Sequence, residues 1–459
     1  MLDLWRYTLR DLASQLKNLK LKPTKLIEHT LKKIRELNNK LYMFIYVAED
    51  LAYKQAEELE KELEEGVQRS LIHGLPIAVK DVFYTRDMPT TAGSKILRNF
   101  QTSYDAEVVG RLREAGAIII GKTNMHEFAF GVTNKNPHYG TSRNPWDLER
   151  ISGGSSGGSA VAVATEISVL GLGTDTAGSI RIPSALCGVV GFKPTYGLLS
   201  LEGVVPLSWS LDTVGPITKS VEDTALVLDI MTGGRHGFAE NLKEEIDREL
   251  RFLVPAKIIE ELASSEVEGV FWRTIDKIVS AGHKVDYLED LDWFKHASNS
   301  RYIIVLSESA TYHLKWIRDY WSMYDPDVAG RILMGYFIPA PVYIHAQRVR
   351  MKTIEKFKKV MKDHDAILLP TVSIEAPRID EEKVQVKEKE VSVRYALLCM
   401  TEVFNSLYAP AISIPCGLSK NNLPIGLQIV TEPGQDKKLL KIASHVERLI
   451  KRFPKPPVS

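Results

Sequence analysis

Apolar residues recur at helical spacing through the first 66 residues of the chain. Ile27, Leu31 and Ile34, which follow Pro23 and Leu26, fall three or four positions apart, which is typical of one face of an amphipathic helix. We expect this helix to open at Pro23, with Thr24 as its N-cap. Residues 51–65 predict a second, charged helix that ends at a glycine. The pattern therefore predicts that residues 1–66 form a helical arm whose role is packing.

The pattern changes between residues 74 and 235. Glycine becomes frequent, and short apolar runs at residues 75–79, 117–120 and 189–190 are bounded by it. Such runs are typical of buried strands, whereas residues 105–115 follow helical spacing. Strands that alternate with helices predict an α/β core, which we expect to carry the chemistry.

The rest of the chain predicts more helices and a return to the core. Residues 240–400 contain helical patterns at 266–281 and 343–362, a buried strand at 365–371 and a charged, exposed loop or edge at 380–394. Residues 411–415 and 425–430 predict a hairpin, which a closing helix at 436–449 follows. Since no repeat or linker divides the sequence, residues 1–459 are predicted to form a single domain, with 401–459 completing the core.

Composition narrows the class of protein. Of the 459 residues, 44% are hydrophobic and 25% charged, so a large packed core is expected. The 59 basic and 58 acidic residues balance, which gives no general attraction to nucleic acid or anionic membranes. No apolar run reaches the ~18 residues of a membrane span, and the N-terminus lacks a signal-peptide pattern. We expect a cytoplasmic protein.

Cysteine usage excludes two further classes of site. Cys187, Cys399 and Cys416 are odd in number, far apart and without paired spacing. A disulfide framework or a zinc site is therefore not expected, and neither a metal nor a cofactor is predicted.

Three short motifs match known patterns without their mechanical context. Residues 116–123 satisfy the P-loop expression, but four of them are Ala-Ile-Ile-Ile, which favours a strand over a phosphate-binding loop. Residues 153–157 fit the nucleophile elbow, yet the preceding 144–150 resemble a loop, and no histidine stands in a triad motif. Residues 14–17 read Ser-Gln-Leu-Lys inside an amphipathic helix, without the partner motifs of penicillin-recognising enzymes. We reject all three.

The glycine- and serine-rich stretch from 152 to 181 carries the strongest chemical signal. Glycine pairs allow backbone N–H groups to converge on one point, as an oxyanion requires, and Ser179 ends such a run. A serine nucleophile needs a base. Lys80, which follows the predicted strand 75–79, can act as one if burial lowers its pKa.

These residues resemble the amidase signature family. The resemblance covers most of the chain, in family order, through residues 74–81, 121–125, 153–159, 175–181, 187–195, 369–371 and 410–417. It implies an α/β fold with a large mixed β-sheet flanked by helices on both faces, and hydrolysis of an amide. It also implies kinship with fatty acid amide hydrolase.

The resemblance assigns a Ser–Ser–Lys triad to this sequence. Ser179 falls on the nucleophile and Lys80 on the general base. Ser155 falls on the bridging serine, which the family holds after a cis peptide bond, at the family's spacing (179 − 155 = 24 residues). Neutral Lys80 would accept a proton from Ser155 while Ser155 accepts one from Ser179, which attacks the carbonyl and forms an acyl-enzyme.

Six further positions match the family's substrate-binding loops. The backbone N–H groups of Thr176, Ala177, Gly178 and Ser179 would hold the oxyanion. Many members have glycine where Ala177 stands, but alanine keeps the same N–H group. The resemblance places Ser156, Asp175 and Arg181 behind these loops as braces, with Asp175 and Arg181 as a possible ion pair.

Two kinds of family member remain open. The A subunit of glutamyl-tRNA(Gln) amidotransferase, which releases ammonia from glutamine, usually carries an aspartate seven residues before the asparagine that matches Asn405; here 405 − 7 = 398 is Leu398. We therefore favour a stand-alone amidase with a small-molecule substrate and an apolar acyl pocket, working without nucleic acid or membrane. A homodimer is common in the family. A catalytically silent binding subunit is the alternative from another class.

Overall fold

The computed structural model describes residues 6–450 and 453–458, and its strands build one large sheet and two small ribbons. The strands are β1 (Phe44–Val47), β2 (Pro76–Lys80), β3 (Ile118–Thr123), β4 (Arg143–Asn144), β5 (Asp147–Ile151), β6 (Leu170–Asp175), β7 (Val190–Lys193), β8 (Thr213–Thr218), β9 (Arg251–Val254), β10 (Lys284–Tyr287), β11 (Ala366–Pro370), β12 (Lys383–Val386), β13 (Lys389–Ser392), β14 (Ala411–Leu418) and β15 (Pro424–Val430). Eleven of them form one sheet in the order β1-β3-β2-β6-β8-β7-β14-β15-β11-β9-β10. Parallel and antiparallel pairs both occur, so the expected large mixed sheet is confirmed.

Helices surround this sheet. They are α1 (Leu9–Lys17), α2 (Pro23–Leu41), α3 (Glu49–Glu64), α4 (Glu107–Glu114), α5 (Gly157–Ala164), α6 (Arg181–Cys187), α7 (Val221–Met231), α8 (Phe238–Asn241), α9 (Ala256–Leu262), α10 (Ser265–Ser280), α11 (Asp292–His313), α12 (Pro326–Tyr336), α13 (Ala340–Met361), α14 (Val393–Leu398), α15 (Val403–Ser406) and α16 (Asp436–Ile450). None of those in the described part of the chain combines the length and apolar character of a membrane span.

The central strands bury side chains on both faces of the sheet. Successive side chains of a strand point to opposite faces. Ile77 and Val79 of β2 pack in one hydrophobic cluster, whereas Ala78 between them packs in a second cluster with residues of α2, α3 and α5. A strand that is buried on both faces needs apolar side chains at successive positions. These strands therefore form continuous apolar runs in the sequence, which made them predictable.

The N-terminal arm differs from its prediction in two respects. Residues 44–47 form β1, which pairs antiparallel with β3 at one edge of the sheet. Thr24 is not an N-cap, because α2 begins at Pro23 and the Thr24 hydroxyl donates to Glu60 Oε2 at 2.5 Å instead. The N-terminus was predicted to lack a signal peptide. Its first five residues lie outside the described part of the chain.

One segment predicted as a loop and one predicted as an exposed loop or edge form ribbons. The predicted loop at 144–150 contains β4 and β5, which pair antiparallel across a tight turn. The charged segment 380–394 contains the β12–β13 hairpin, in which Lys383 Nζ lies 2.8 Å from Glu390 Oε2. Neither ribbon joins the large sheet, so each lacks the two buried faces that make a strand visible as an apolar run.

The candidate residues meet where β2 and β6 end. These strands are parallel neighbours, with Val79 opposite Leu172. Lys80 is the last residue of β2 and Asp175 the last of β6, so the sheet brings their carboxyl ends to one edge. The loops that precede α5 and α6 close over this edge and carry Ser155 and Ser179. The rejected P-loop residues 121–123 lie within β3.

Candidate active site

Lys80 is buried at the end of β2 and contacts a serine. Its Nζ lies 2.8 Å from Ser155 Oγ and 2.8 Å from Thr174 Oγ1, and its side chain is completely shielded from solvent. Burial lowers the pKa of Lys80 to about 7, although Asp212 and Asp175 act in the opposite direction. A buried amine with this pKa is partly neutral at physiological pH, as a general base must be.

Ser155 lies in the loop that leads into α5. The Gly154–Ser155 peptide bond is cis. Gly158, in the first turn of α5, packs so closely on the backbone that a Cβ there would lie 2.3 Å from the carbonyl oxygen of Met43. A glycine is therefore required at this point to hold the start of α5, and with it Ser155, against the sheet edge.

Ser179 follows β6 and faces a pocket. Its carbonyl oxygen accepts a hydrogen bond from Ser156 N–H at 3.1 Å, which ties the two serine loops together. Gly178 before it has φ +130°, a conformation that favours glycine. Within the described residues, no hydrogen bond joins the hydroxyls of Ser155 and Ser179. The described residues thus show the contact between Lys80 and Ser155, but no hydrogen bond from Ser155 to the hydroxyl of the nucleophile candidate, Ser179.

Asp175 organises the loop between β6 and Ser179. Its carboxylate accepts hydrogen bonds from Gly178 N–H at 2.7 Å and Ile180 N–H at 3.2 Å. Arg181 Nη2 lies 2.9 Å from Asp175 Oδ1, and both side chains are fully buried. Burial alone would raise the pKa of Asp175, but Arg181 and its hydrogen bonds hold that pKa well below its usual value. The charged pair therefore fixes the loop.

The braces extend to the C-terminal part of the chain. Arg181 Nη1 donates to the carbonyl oxygen of Thr401 at 3.0 Å, and Arg181 Nη2 donates to Asn405 Oδ1 at 2.7 Å. Ser156 Oγ donates to the carbonyl oxygen of Thr174 at 3.2 Å. Ser156, Asp175 and Arg181 do not line the pocket in front of Ser179. Their contacts are with the loops and with the C-terminal part of the chain.

The set of N–H groups available for an oxyanion is smaller than the sequence suggested. Gly178 N–H already donates to Asp175. In residues 6–450 and 453–458, no acceptor is bound by the N–H groups of Thr176, Ala177 and Ser179. These three are therefore the candidates that remain.

Two polar residues near the site were missed from sequence. Thr174 contacts Lys80. Side chains alternate between the two faces of a strand, so this contact could have been predicted if β6 had been known to lie beside β2. Asp212 accepts a hydrogen bond from Thr176 Oγ1 at 2.5 Å, and burial raises its pKa to about 6. Nothing in the local sequence marks Asp212, since only the packing of distant segments brings it there.

The pocket in front of Ser179 is small and carries both apolar and cationic groups. It encloses about 20 Å³ and is lined by Ala129, Phe130, Gly131, Val132, Thr176, Ala177, Ser179, Leu207, Arg301, Val305, Arg394 and Leu398. Leu398 is on its wall, as expected, but the two arginines were not anticipated. The described residues include no group of three or more His, Cys, Asp or Glu side chains that could hold a metal ion.

Comparison with known proteins shows which family the chain belongs to. The family model for amidases matches residues 25–440. The chain belongs to the amidase signature family. Members of this family, and the solved structures that this chain is similar to, are enzymes that act on amide C–N bonds.

The proteins similar to this amidase include both amidotransferase A subunits and enzymes described as amidases. The A subunit of glutamyl-tRNA(Gln) amidotransferase from Sulfurihydrogenibium sp. (strain YO3AOP1) is 33% identical over 490 residues, covering 99% of this chain and 100% of that protein. A crystal structure described as an amidase superposes with a TM-score of 0.92 at 35% identity, covering 97% and 100% of the two chains. The A subunit from Thermotoga maritima gives a TM-score of 0.79 at 32% identity, covering 100% and 99%.

Proposed function

We propose that this amidase hydrolyses a small carboxylic acid amide through Ser179, Ser155 and Lys80. The contact of 2.8 Å between Lys80 Nζ and Ser155 Oγ, inside a fully buried site, carries the proposal. A lysine is costly to bury. Burial beside a serine hydroxyl lowers the pKa of Lys80 to about 7, as a general base requires, so a catalytic role accounts for the burial.

The proposed reaction begins with proton transfer. Neutral Lys80 accepts the proton of Ser155 Oγ as Ser155 accepts that of Ser179, and Ser179 Oγ attacks the amide carbon. For this step, substrate binding must bring the two serine hydroxyls within hydrogen-bonding distance, a tightening that catalytic contacts commonly undergo. The negative oxygen that forms is held by the N–H groups of Thr176, Ala177 and Ser179.

The reaction ends with return of the proton and entry of water. The C–N bond breaks as the protonated Lys80, acting through Ser155, delivers a proton to the leaving nitrogen. Ammonia or an amine departs and leaves the acyl group on Ser179. Water then attacks this ester with Lys80 and Ser155 again as the base, which releases the acid and restores the enzyme.

A matched pair of buried lysines tests the base. Lys80→Met removes the amine and keeps most of the side-chain volume, and we expect it to slow acylation of Ser179 by about 10²–10⁴-fold. Lys193 is the control, because burial also lowers its pKa to about 7 but its Nζ donates to Pro194 O, not to a serine. The rate of labelling by a fluorophosphonate is measured in folded protein.

The outcomes separate the proposal from its alternatives. Labelling should disappear in Ser179→Ala, drop in Lys80→Met and persist in Lys193→Met. Rapid labelling of folded Lys80→Met would show that the base is another group. No labelling of the unmodified protein would favour a catalytically silent binding subunit.

The second candidate function is the glutaminase subunit of an amidotransferase, and the curated relatives favour it. Two of them, from Sulfurihydrogenibium and Nostoc, are 33% and 36% identical over almost their whole length. Leu398 argues against this function, because an apolar side chain stands where the A subunits usually carry an aspartate. Glutamine hydrolysis that requires two partner subunits and tRNA would establish the second candidate.

A further inference from the structure

Cationic side chains gather in the pocket in front of Ser179. Arg301 of α11 and Arg394 of α14 line this pocket together with Ser179 itself. Arg331 of α12 lies next to them, since its guanidinium donates to the carbonyl oxygen of Phe130, a pocket residue. Three guanidinium groups thus surround a small space that also contains the proposed nucleophile.

Two of the three arginines have carboxylate partners. Arg301 forms an ion pair with Glu402, and Arg331 forms one with Asp327. Both carboxylates are therefore occupied by a cation within the protein. These two arginines add no net charge to the pocket, although each of them leaves a buried Nε without a hydrogen-bond partner.

Arg394 lacks such a partner. Throughout the described residues its guanidinium makes no hydrogen bond or ion pair, and its one contact of note is with the Phe130 ring, at 5.9 Å from the ring centroid. Burial, together with the neighbouring Arg331 and Arg301, lowers the pKa of Arg394 to about 9, which still leaves its guanidinium protonated at neutral pH. Asp327 and Glu402 attract Arg394 from a distance, but each is already paired with another arginine, so the three arginines and two carboxylates leave one net positive charge.

An anion on the substrate would satisfy this charge. A guanidinium presents a planar fork of N–H donors that matches a carboxylate. The same pocket offers no free carboxylate for an ammonium group, because Glu402 and Asp327 are already paired and Leu398 is apolar. The chemistry of the pocket thus fits a substrate that is negatively charged and carries no positive charge.

We propose that Arg394 binds a carboxylate on the acyl side of the substrate, so that this amidase prefers monoamides of short dicarboxylic acids. The proposal rests on the proposed function of Ser179. The enclosed space in the pocket is about 20 Å³, room for little more than one water-sized group, so we expect the pocket to accept only a short acyl chain. Arg394 is then a specificity residue, which positions the amide carbonyl by holding the far end of the substrate.

A panel of matched amides tests this preference. Malonamate, succinamate and glutaramate are each compared with the neutral amide in which a methyl group replaces the carboxylate. We expect kcat/KM to be roughly 10- to 100-fold higher for at least one of the carboxylates, as for other hydrogen bonds between charged groups. Glutamine, which is glutaramate with an added ammonium group, should be a poorer substrate than glutaramate.

Variants at two arginines connect the preference to Arg394. Arg394→Met removes the charge and should bring the ratio of kcat/KM between carboxylate and neutral amide close to one, whereas Arg394→Lys should keep part of it. Arg273→Met, on the exposed face of α10, is the matched control and should keep the full ratio. Fluorophosphonate labelling of Ser179 in each variant verifies that the fold and nucleophile are intact.

A competition experiment covers the case in which the panel is turned over slowly. Malonate, succinate and glutarate should slow fluorophosphonate labelling of Ser179 in the unmodified protein and have no such effect in Arg394→Met. An unchanged ratio in Arg394→Met, no preference for carboxylates, or no protection by the diacids would overturn the proposal. Failure of Ser179 to react with the probe at all would instead overturn the proposed function.

Discussion

Lys80 determines how the activity should depend on pH. Burial lowers the pKa of its amine from 10.5 to about 7, and only the neutral amine can accept a proton from Ser155. We therefore expect acylation of Ser179 to rise about tenfold per pH unit below pH 7 and to level off above it. The rate of fluorophosphonate labelling between pH 5 and pH 9 measures this directly.

The sign of this dependence is a strict requirement. Lowering the pH protonates Lys80 and removes the base, so the rate must fall on the acid side. A flat profile, or a rate that increases toward acid, would contradict the assignment of Lys80. Lys193→Met, which leaves the Lys80 contact with Ser155 in place, should show the same profile as the unmodified protein.

At the residue scale, sequence predicted the chemical groups better than their partners. Ser179, Ser155 and Lys80 stand in recognisable motifs, because chemistry restricts both residue type and spacing. Arg394 and Asp212 reach the site from segments that are remote in sequence, on α14 and between β7 and β8. Such contacts depend on how whole elements pack, which no local pattern contains.

At the scale of elements, the Asp175–Arg181 pair joins β6 to the segment around α15. We expect Asp175→Asn to lower the free energy of unfolding by about 3–5 kcal/mol, because it leaves the fully buried charge of Arg181 uncompensated. The measurement is urea unfolding followed by circular dichroism. Asp286→Asn, which breaks an exposed pair with Arg251, is the control and should change stability less.

A double variant distinguishes the pair from simple packing. Arg181→Met in the Asp175→Asn background removes the uncompensated charge, so the combined loss should be smaller than the sum of the two single losses. Additive losses would mean that the two side chains stabilise the loop independently. The loop would then be held mainly by the hydrogen bonds that Asp175 accepts from Gly178 and Ile180.

The elements that sequence could predict are those buried on both sides. β2, β11 and the β14–β15 hairpin are apolar runs inside the large sheet, and each was predicted near its observed position. β1 was missed because it has only four residues and lies at a sheet edge. It also follows a long helix directly, so the helical pattern around it hid the strand. The β12–β13 segment was predicted only as an exposed loop or edge, since its cross-strand contacts join charged side chains, as between Lys383 and Glu390.

At the scale of the whole molecule, the open question is whether the chain works alone. The chain superposes over almost its whole length on a solved structure described as an amidase, with a TM-score of 0.92. The nucleophile candidate, its buried base and the unpaired Arg394 all come from this one chain. We therefore expect the purified chain, without partner subunits or tRNA, to form an acyl-enzyme and to release ammonia from a short dicarboxylic monoamide.

A direct comparison of two preparations decides this point. The chain is assayed alone, and then with the two other subunits of an amidotransferase and tRNA, on glutaramate and on glutamine. Turnover of glutaramate that the additions leave unchanged would support a stand-alone amidase, since the substrate would meet every group it needs in the pocket of Ser179. Glutamine hydrolysis that starts only with the partners would instead mean that binding them completes the pocket. Because Leu398 is apolar, a residue of another chain would then have to supply the carboxylate that holds the ammonium group of glutamine.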